Sequence, residues 1–120
     1  MDKPFELFGL RIVPVPIFHG EQTIFGYRIG DAAYITDCSG IPPSSIGLLQ
    51  NLRVLILGAL GPGFLHPNHF SLEQAIHASG QLQPERVYFT HLSHKGLHEE
   101  IQTRLPDGMY LAYDGLRVTV

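Results

Sequence analysis

The sequence has 120 residues, the length of one small domain, and we treat residues 1–120 as a single domain. Its net charge of -3 argues against nucleic-acid and membrane-surface binding, because both need a basic face. The single cysteine excludes an intrachain disulfide framework, and no apolar run approaches the roughly 18 residues of a membrane span. With no visible signal peptide, these features favour a cytoplasmic protein.

Two features of the composition stand out. Charged residues make up 16% of the chain, against about 25% in an average soluble protein. The sequence contains 7 histidines, almost as many as its 8 lysines and arginines together. The first feature leaves few charges to cover the surface, and the second directs attention to sites that use imidazole.

The first half of the chain predicts strands followed by one short helix. The predicted strands are residues 10–18, 24–29 and 32–36, and the helix lies near residues 42–50. Pro14 and Pro16 lack N–H donors, which favours an edge or irregular strand for the first of these runs. The next two strands flank Gly30-Asp31, a pair that is typical of a hairpin turn.

The second half of the chain alternates strands with helices. The predicted strands are residues 54–57, 87–90, 109–113 and 116–120, with helices at 71–80 and 96–105. The wholly apolar run at 54–57 is typical of a strand that is covered on both faces. Ser71 can cap the first of these helices and Gly80 can end it. The last two strands flank Asp114-Gly115 and predict a closing pair.

This order of elements predicts an α/β fold with one mixed sheet and helices on one face. The predicted helices are too few to cover both faces of the sheet. The uncovered face would expose valine, isoleucine, leucine and phenylalanine side chains. A bare apolar face of that kind is an association surface.

Four polar residues follow successive predicted strands, at the sheet edge where ligands gather in folds of this kind. They are His19, Asp37, His69 and His91. Imidazole and carboxylate groups ligate zinc, manganese and iron, so the pattern is compatible with a metal site. Each residue also has a simpler explanation: a solvent-facing histidine, or, for Asp37, a turn that bonds its own backbone. The pattern alone leaves both interpretations open.

The other histidines and the cysteine have weaker claims to function. His77 lies in the middle of a predicted helix, where solvent exposure is favoured over a role in a site. His94 and His98 are four residues apart, and an outer or surface role is favoured for them. His66 has no pattern that assigns it a function. Cys38 is interpreted as a small packed residue, since no histidine adjoins it in the sequence.

Six short segments carry a resemblance to a known superfamily. They are residues 15–20 (VPIFHG), 26–29 (GYRI), 34–37 (YITD), 67–72 (PNHFSL), 90–94 (THLSH) and 112–116 (AYDGL). In this order they resemble the C-terminal half of the metallo-β-lactamase superfamily, in particular the branch of the phosphoribosyl cyclic phosphate phosphodiesterase. The resemblance implies one half of a four-layer αββα sandwich, whose missing half would cover the bare sheet face.

The resemblance also implies roles for individual residues. His19 resembles the histidine that completes a first metal site, Asp37 the carboxylate that bridges two metals, and His91 the histidine that ligates the second. His69 resembles a non-ligand histidine near the scissile phosphate, which acts as an acid or stabilises charge. Two bridged cations about 3.5–4 Å apart convert a shared water into a hydroxide nucleophile. A nearby imidazole can then protonate the leaving alkoxide.

The sequence departs from this superfamily in one major respect. The upstream motif His-x-His-x-Asp-His is absent, and with it four of the seven usual metal ligands. Gly58 also stands where relatives usually have an aspartate. A complete site would take divalent zinc, manganese or iron, whereas this chain alone need not bind any metal.

Three functions remain open. The chain can be part of a metal-dependent, phosphodiesterase-type hydrolase that acts on a phosphoester, inactive alone and completed by a chain that supplies the N-terminal half. It can be a self-associating half-domain without a catalytic role, which forms a homodimer with a second copy through the bare sheet face. It can also be a non-catalytic remnant in which the histidines persist.

Overall fold

The computed structural model describes residues 3–61, 63, 65–90, 98–113 and 115–120, without the side chains of residues 98 and 99. The strands are β1 (Phe5–Leu7), β2 (Leu10–His19), β3 (Gln22–Ile29), β4 (Ala32–Ile35), β5 (Val54–Gly58), β6 (Arg86–Thr90) and β7 (Met109–Leu111). The helices are α1 (Pro43–Ile46), which a 3-10 turn at Gly47–Leu49 continues, α2 (Leu72–Leu82) and α3 (His98–Arg104). No helix among the described residues is long and apolar enough to cross a membrane.

Within the described part of the chain, the strands form one seven-stranded sheet in the order of the sequence. Strands β1 to β4 pair antiparallel, and β4 to β7 pair parallel. Short turns join the antiparallel strands, while the parallel ones need crossovers, which α1, α2 and α3 provide. The structure therefore confirms the predicted α/β fold with a mixed sheet.

The core lies between the sheet and the helices. Alternate residues of the central strands point toward the helices and are fully buried, among them Leu57 and Phe89. They form one cluster with apolar residues of the helices and their connections, including Leu49, Ala75 and Leu82. The predicted layer of helices on one face of the sheet is thus present.

The opposite face of the sheet, here called the open face, carries the alternate residues of the same strands. It includes Pro14, Tyr27, Tyr34, Ile56, Tyr88 and Tyr110. Tyr34 is 53% exposed and Tyr110 is 40% exposed, whereas Ala33, Ile35 and Leu111 on the helix face are buried. The open face is therefore largely apolar, but tyrosines stand where the sequence predicts mainly valine, isoleucine, leucine and phenylalanine.

The proline-containing strand β2 has a partly free edge. Its partner β1 extends only along Leu10–Ile12, so Pro14 and Pro16 lie beyond it. On this edge the carbonyl of Pro16 accepts a hydrogen bond of 2.6 Å from Ser45 Oγ. Since the nitrogen and carbonyl of one strand residue face the same side, the missing N–H of Pro16 removes no bond to β3. The prediction of an edge strand is therefore confirmed for the part of β2 beyond Ile12, which has no partner strand on this side among the described residues.

The start of α2 follows the prediction, but its end does not. Ser71 Oγ accepts a hydrogen bond from Gln74 N, and the Gln74 side chain accepts one from Ser71 N, which completes a capping box. The helix continues past Gly80 to Leu82 and ends at Gln83, which adopts the left-handed φ of 51°. Leu82 is 3% exposed, so the extra turn adds a residue to the core.

The predicted closing pair of strands is wrong, because residues 116–120 form no strand. The Arg86 side chain instead donates a hydrogen bond to the carbonyl of Thr119 and holds this segment beside β6. The three-residue strand β1 was not predicted at all. The predicted helix at 96–105 is confirmed from His98 to Arg104, and residues 96 and 97 lie outside the described part of the chain.

The bond between α1 and β2 gives a test of the fold. Ser45 is fully buried, so Ser45→Ala leaves the Pro16 carbonyl without its hydroxyl donor. We expect the free energy of unfolding to fall by about 1–3 kcal/mol in urea denaturation. The matched change Ser44→Ala, at an exposed position, should alter it by less than about 0.5 kcal/mol. Equal effects of the two substitutions would contradict this account.

Candidate functional site

Three of the four predicted site residues converge at one edge of the sheet. His19 is the last residue of β2, Asp37 follows β4, and His69 lies in the connection between β5 and α2. Strand ends meet at this edge, which explains why residues far apart in the sequence become neighbours. His91, which follows β6, belongs to residues 91–97 and lies outside the described part of the chain.

A hydrogen bond of 2.8 Å joins His19 Nδ1 to the backbone carbonyl of Asp37. A carbonyl oxygen can only accept, so Nδ1 carries the proton and donates it. In the neutral imidazole, Nε2 is then the nitrogen with the lone pair. His19 is therefore held in the tautomer that can ligate a metal through Nε2.

Asp37 adopts a left-handed backbone conformation with φ of 55°. Aspartate tolerates this region better than most residues. Backbone bonds fix the chain just beyond it: Ser39 N donates to the Phe18 carbonyl, and Phe70 N donates to the Cys38 carbonyl. Because the chain turns sharply at Asp37, its backbone carbonyl meets His19 while its carboxylate remains 45% exposed.

His69 lies against both of the other residues. Its Nδ1 is 3.7 Å from Asp37 Oδ1, a distance at which a protonated imidazole is attracted to the carboxylate. Its ring meets that of His19 edge to face, with the ring centroids 5.3 Å apart. The three residues thus form one polar cluster, in which His69 contacts both the His19 ring and the Asp37 carboxylate.

Close contact between two turns holds the cluster together. Gly20, with φ of 61°, ends β2, and its amide donates a hydrogen bond of 2.9 Å to Ser39 Oγ. A Cβ atom at Gly20 would overlap Asn68 Oδ1, so a side chain there would displace the Asn68 side chain in the turn that carries His69. A surface cavity of about 490 Å³ opens between these turns beside His19.

The structure adds one histidine that the sequence did not single out. His66 pairs with His69 in an isolated backbone bridge, and the centroids of their rings are 5.1 Å apart. The spacing His-x-x-His around Pro67-Asn68 is the only local signal for this contact, and it is a weak one. His77, in contrast, is exposed on α2, as predicted.

Cys38 takes no part in the polar chemistry of the cluster. It is 1% exposed, and burial raises the pKa of its thiol from 9.0 to about 11. The thiol therefore stays protonated near neutral pH and is neither a nucleophile nor a metal ligand. The interpretation of Cys38 as a small packed residue is confirmed.

The donor set suits a divalent metal but is incomplete in the described residues. Among these residues, no group of three or more histidine, cysteine, aspartate or glutamate side chains is arranged to hold a metal ion. His19 nevertheless has the arrangement usual for a metal-binding histidine, with its other ring nitrogen donating to a carbonyl. The exposed carboxylate of Asp37 is an oxygen ligand of the kind that zinc, manganese and iron accept.

Gly58 explains why β5 packs closely against this turn. A Cβ atom there would lie 3.3 Å from Thr36 Cα and 3.4 Å from Asp37 N. A larger side chain at this position would press on the backbone that presents Asp37. At this last position of β5, where the resemblance implies an aspartate, the chain has a residue that allows tight packing.

Comparison with known proteins identifies the relatives of the chain. A sequence model of the beta-lactamase superfamily domain matches residues 1–92. An octanoyltransferase of Porphyromonas gingivalis is 37% identical over 120 residues, which are 99% of this chain and 24% of that protein. The chain thus spans about a quarter of the curated relative that it matches.

Solved structures agree with this result. A new diphosphatase from the PhnP family has a TM-score of 0.95 and 43% identity, over 100% of this chain and 47% of that one. Zn²⁺-bound PqqB from Methylobacterium extorquens has a TM-score of 0.66 and 16% identity, over 100% of this chain and 54% of that one, which shows a shared fold. The chain covers about half of each of these structures.

A pair of glycines tests the contact between the two turns. Gly20 and Gly30 both have positive φ, so replacing either with alanine should cost about 1–2 kcal/mol of unfolding free energy. Nothing lies within 4 Å of a Cβ atom at Gly30. Only Gly20→Ala should therefore displace Asn68 and shift the NMR resonances of the His69 ring. If these resonances stay in place in Gly20→Ala, the contact does not position the cluster.

Proposed function

Because the chain belongs to the metallo-β-lactamase superfamily, we propose that it forms part of a divalent-metal-dependent hydrolase of phosphoesters. The convergence of His19, Asp37 and His69 at one sheet edge carries this proposal. The likeness to a PhnP-family diphosphatase over the whole chain supports phosphate chemistry. Octanoyl transfer is not proposed, since the match takes in 24% of that enzyme.

The proposed metal ligands are His19, Asp37 and His91. His19 would bind through Nε2 and Asp37 through its carboxylate, and the metal would be zinc, manganese or iron. When bound, a pair of such cations supplies a hydroxide nucleophile and neutralises charge on the phosphate. We place this chemistry in the cytosol, where a free thiol such as that of Cys38 stays reduced.

His69 is proposed as the group that handles the leaving oxygen. Its imidazolium form would donate a proton, or a hydrogen bond, to the alkoxide that departs from phosphorus. In that form its Nδ1 lies 3.7 Å from the Asp37 carboxylate, a distance at which the two opposite charges attract. In this role His69 contacts the substrate, and Asp37 acts both on the metal and on His69.

The missing ligands are proposed to come from a complementary half that carries the motif His-x-His-x-Asp-His. The chain spans 47% of the PhnP-family diphosphatase, so about half of that structure has no counterpart here. The open face of the sheet, with Tyr34 and Tyr110 exposed, is the surface that such a half would cover. We expect the chain alone to show little or no hydrolysis.

Complementation tests this function. The chain is assayed on a chromogenic phosphodiester with Mn²⁺ or Zn²⁺, alone and co-expressed with the half of the PhnP-family diphosphatase that it does not match. We expect hydrolysis only when the two halves are co-expressed. His69→Gln should lower the rate by about 100- to 10,000-fold, the usual contribution of general acid catalysis.

Metal analysis by mass spectrometry separates the roles of these residues. His19→Ala and Asp37→Asn should lower the metal content of the complemented protein, whereas His69→Gln should leave it unchanged. His77→Ala, an exposed histidine on α2, is the matched control and should retain both activity and metal. If the co-expressed halves are inactive, or if His19→Ala is as active as the wild type, the chain is a non-catalytic remnant or has another function.

A second candidate function rests on the open face alone. An exposed apolar sheet face favours association, and a two-fold homodimer is the commonest assembly of identical chains. In this alternative a second copy covers the face, and the chain is a self-associating half-domain without catalytic activity. No complementary half is then needed.

Light scattering tests this alternative. A charge at the centre of the open face would be buried without a partner in the dimer, so Tyr34→Lys should convert the dimer to a monomer. Leu48→Lys is the control, since Leu48 is also a partly exposed apolar residue but lies in the 3-10 turn after α1. A wild-type chain that is monomeric at micromolar concentration would contradict the homodimer.

A further inference from the structure

His66 lies beside the cluster of His19, Asp37 and His69, and the proposed function does not use it. It lies in the same turn as His69, and the centroids of the two rings are 5.1 Å apart. Its neighbour Leu65 is 80% exposed, so the turn is accessible to a ligand that approaches from solvent. An imidazole at this position can offer such a ligand either a hydrogen-bond donor or an acceptor.

The tautomer of His66 is fixed by its own turn. The backbone N–H of Asn68 donates a hydrogen bond of 3.0 Å to His66 Nδ1. Nδ1 must therefore be the acceptor, and in the neutral imidazole Nε2 carries the proton. This is the reverse of His19, whose Nδ1 is the donor. His66 thus presents an N–H group without having to gain a charge.

The turn that carries His66 is held on both sides. The Asn68 side chain packs against Gly20, and a Cβ atom there would displace it. On the other side, the Glu73 carboxylate of α2 accepts a hydrogen bond from Gly63 N. A donor held in place before the substrate arrives stabilises negative charge better than one that must be ordered.

We propose that His66 donates its Nε2–H to a non-bridging phosphoryl oxygen of the substrate bound beside His69. This inference rests on the proposed function, since it takes the substrate to be a phosphoester at the cluster. His66 then holds the phosphoryl group while His69 serves the leaving oxygen. The two histidines of one turn then have different tasks: His66 presents a neutral N–H group, whereas His69 lies against the Asp37 carboxylate.

Two conservative substitutions separate this role from a structural one. In His66→Asn the side-chain oxygen can replace Nδ1 as the acceptor for Asn68 N–H, but the distal donor is lost. In His66→Gln the amide nitrogen can replace the Nε2–H donor, but the acceptor for the turn is lost. A donor role predicts that glutamine preserves function, and a purely structural role predicts that asparagine does.

The test uses the chain co-expressed with the complementary half, as in the hydrolysis assay, with Zn²⁺ and inorganic phosphate as the probe. Histidine side chains are followed by ¹H–¹⁵N NMR, and phosphate affinity is measured by calorimetry. We expect wild-type His66 to show the Nε2–H tautomer and its Nε2 signal to shift when phosphate is added. His66→Ala and His66→Asn should weaken phosphate binding by about tenfold, the value of one hydrogen bond to an anion. His66→Gln and the control His77→Ala should bind within about twofold of the wild type, a range worth about 0.4 kcal/mol.

The inference is overturned if the wild type binds no phosphate, if His66 populates the Nδ1–H tautomer, or if His66→Ala binds as tightly as the wild type. It is also overturned if asparagine preserves binding and glutamine does not. The proposed function is tested separately, by hydrolysis in the complementation assay. If the complemented protein hydrolyses the phosphodiester but the His66 variants bind phosphate as tightly as the wild type, the inference fails and the proposed function stands.

Discussion

The candidate site depends on the hydrogen bond from His19 Nδ1 to the Asp37 carbonyl. It joins the ends of β2 and β4, which are separated in the sheet by β3. The left-handed φ of Asp37 turns its carbonyl toward His19 and leaves its carboxylate exposed. One backbone conformation therefore fixes the tautomer of a histidine and the position of an acid, and a different turn would disperse the cluster.

The core and the neighbouring strands hold the turn at Asp37 in place. The core between the sheet and α2 holds β4, β5 and β6 in register, and Gly58 lets β5 approach the backbone of Asp37. On the other side, Ser45 and the backbone of residues 39–40 secure the free edge of β2 that leads to His19. The site is thus built from loops, but each loop is tied to a rigid strand or helix.

Local patterns were enough to predict most of the strands, because alternation, apolar runs and the Gly30-Asp31 turn depend on neighbouring residues. The convergence of His19, Asp37 and His69 was also predictable, since strand ends of such a sheet meet at one edge. Long-range contacts could not be predicted in this way. Residues 116–120 have a strand-like sequence, but the Arg86 side chain donates a hydrogen bond to the carbonyl of Thr119, and the segment forms no strand. The contact of His66 with His69 is local, but a backbone bridge creates it, and the spacing of the two histidines does not indicate that bridge.

The strand order has a consequence for how the chain forms. Each strand pairs with the strand that precedes it in the sequence, so the sheet can grow at one edge as synthesis proceeds. None of the seven described strands has to be inserted between two that formed earlier, and each new strand closes only a short loop. A sheet of this kind can become part of a larger protein, or join a separate chain, without being threaded through it.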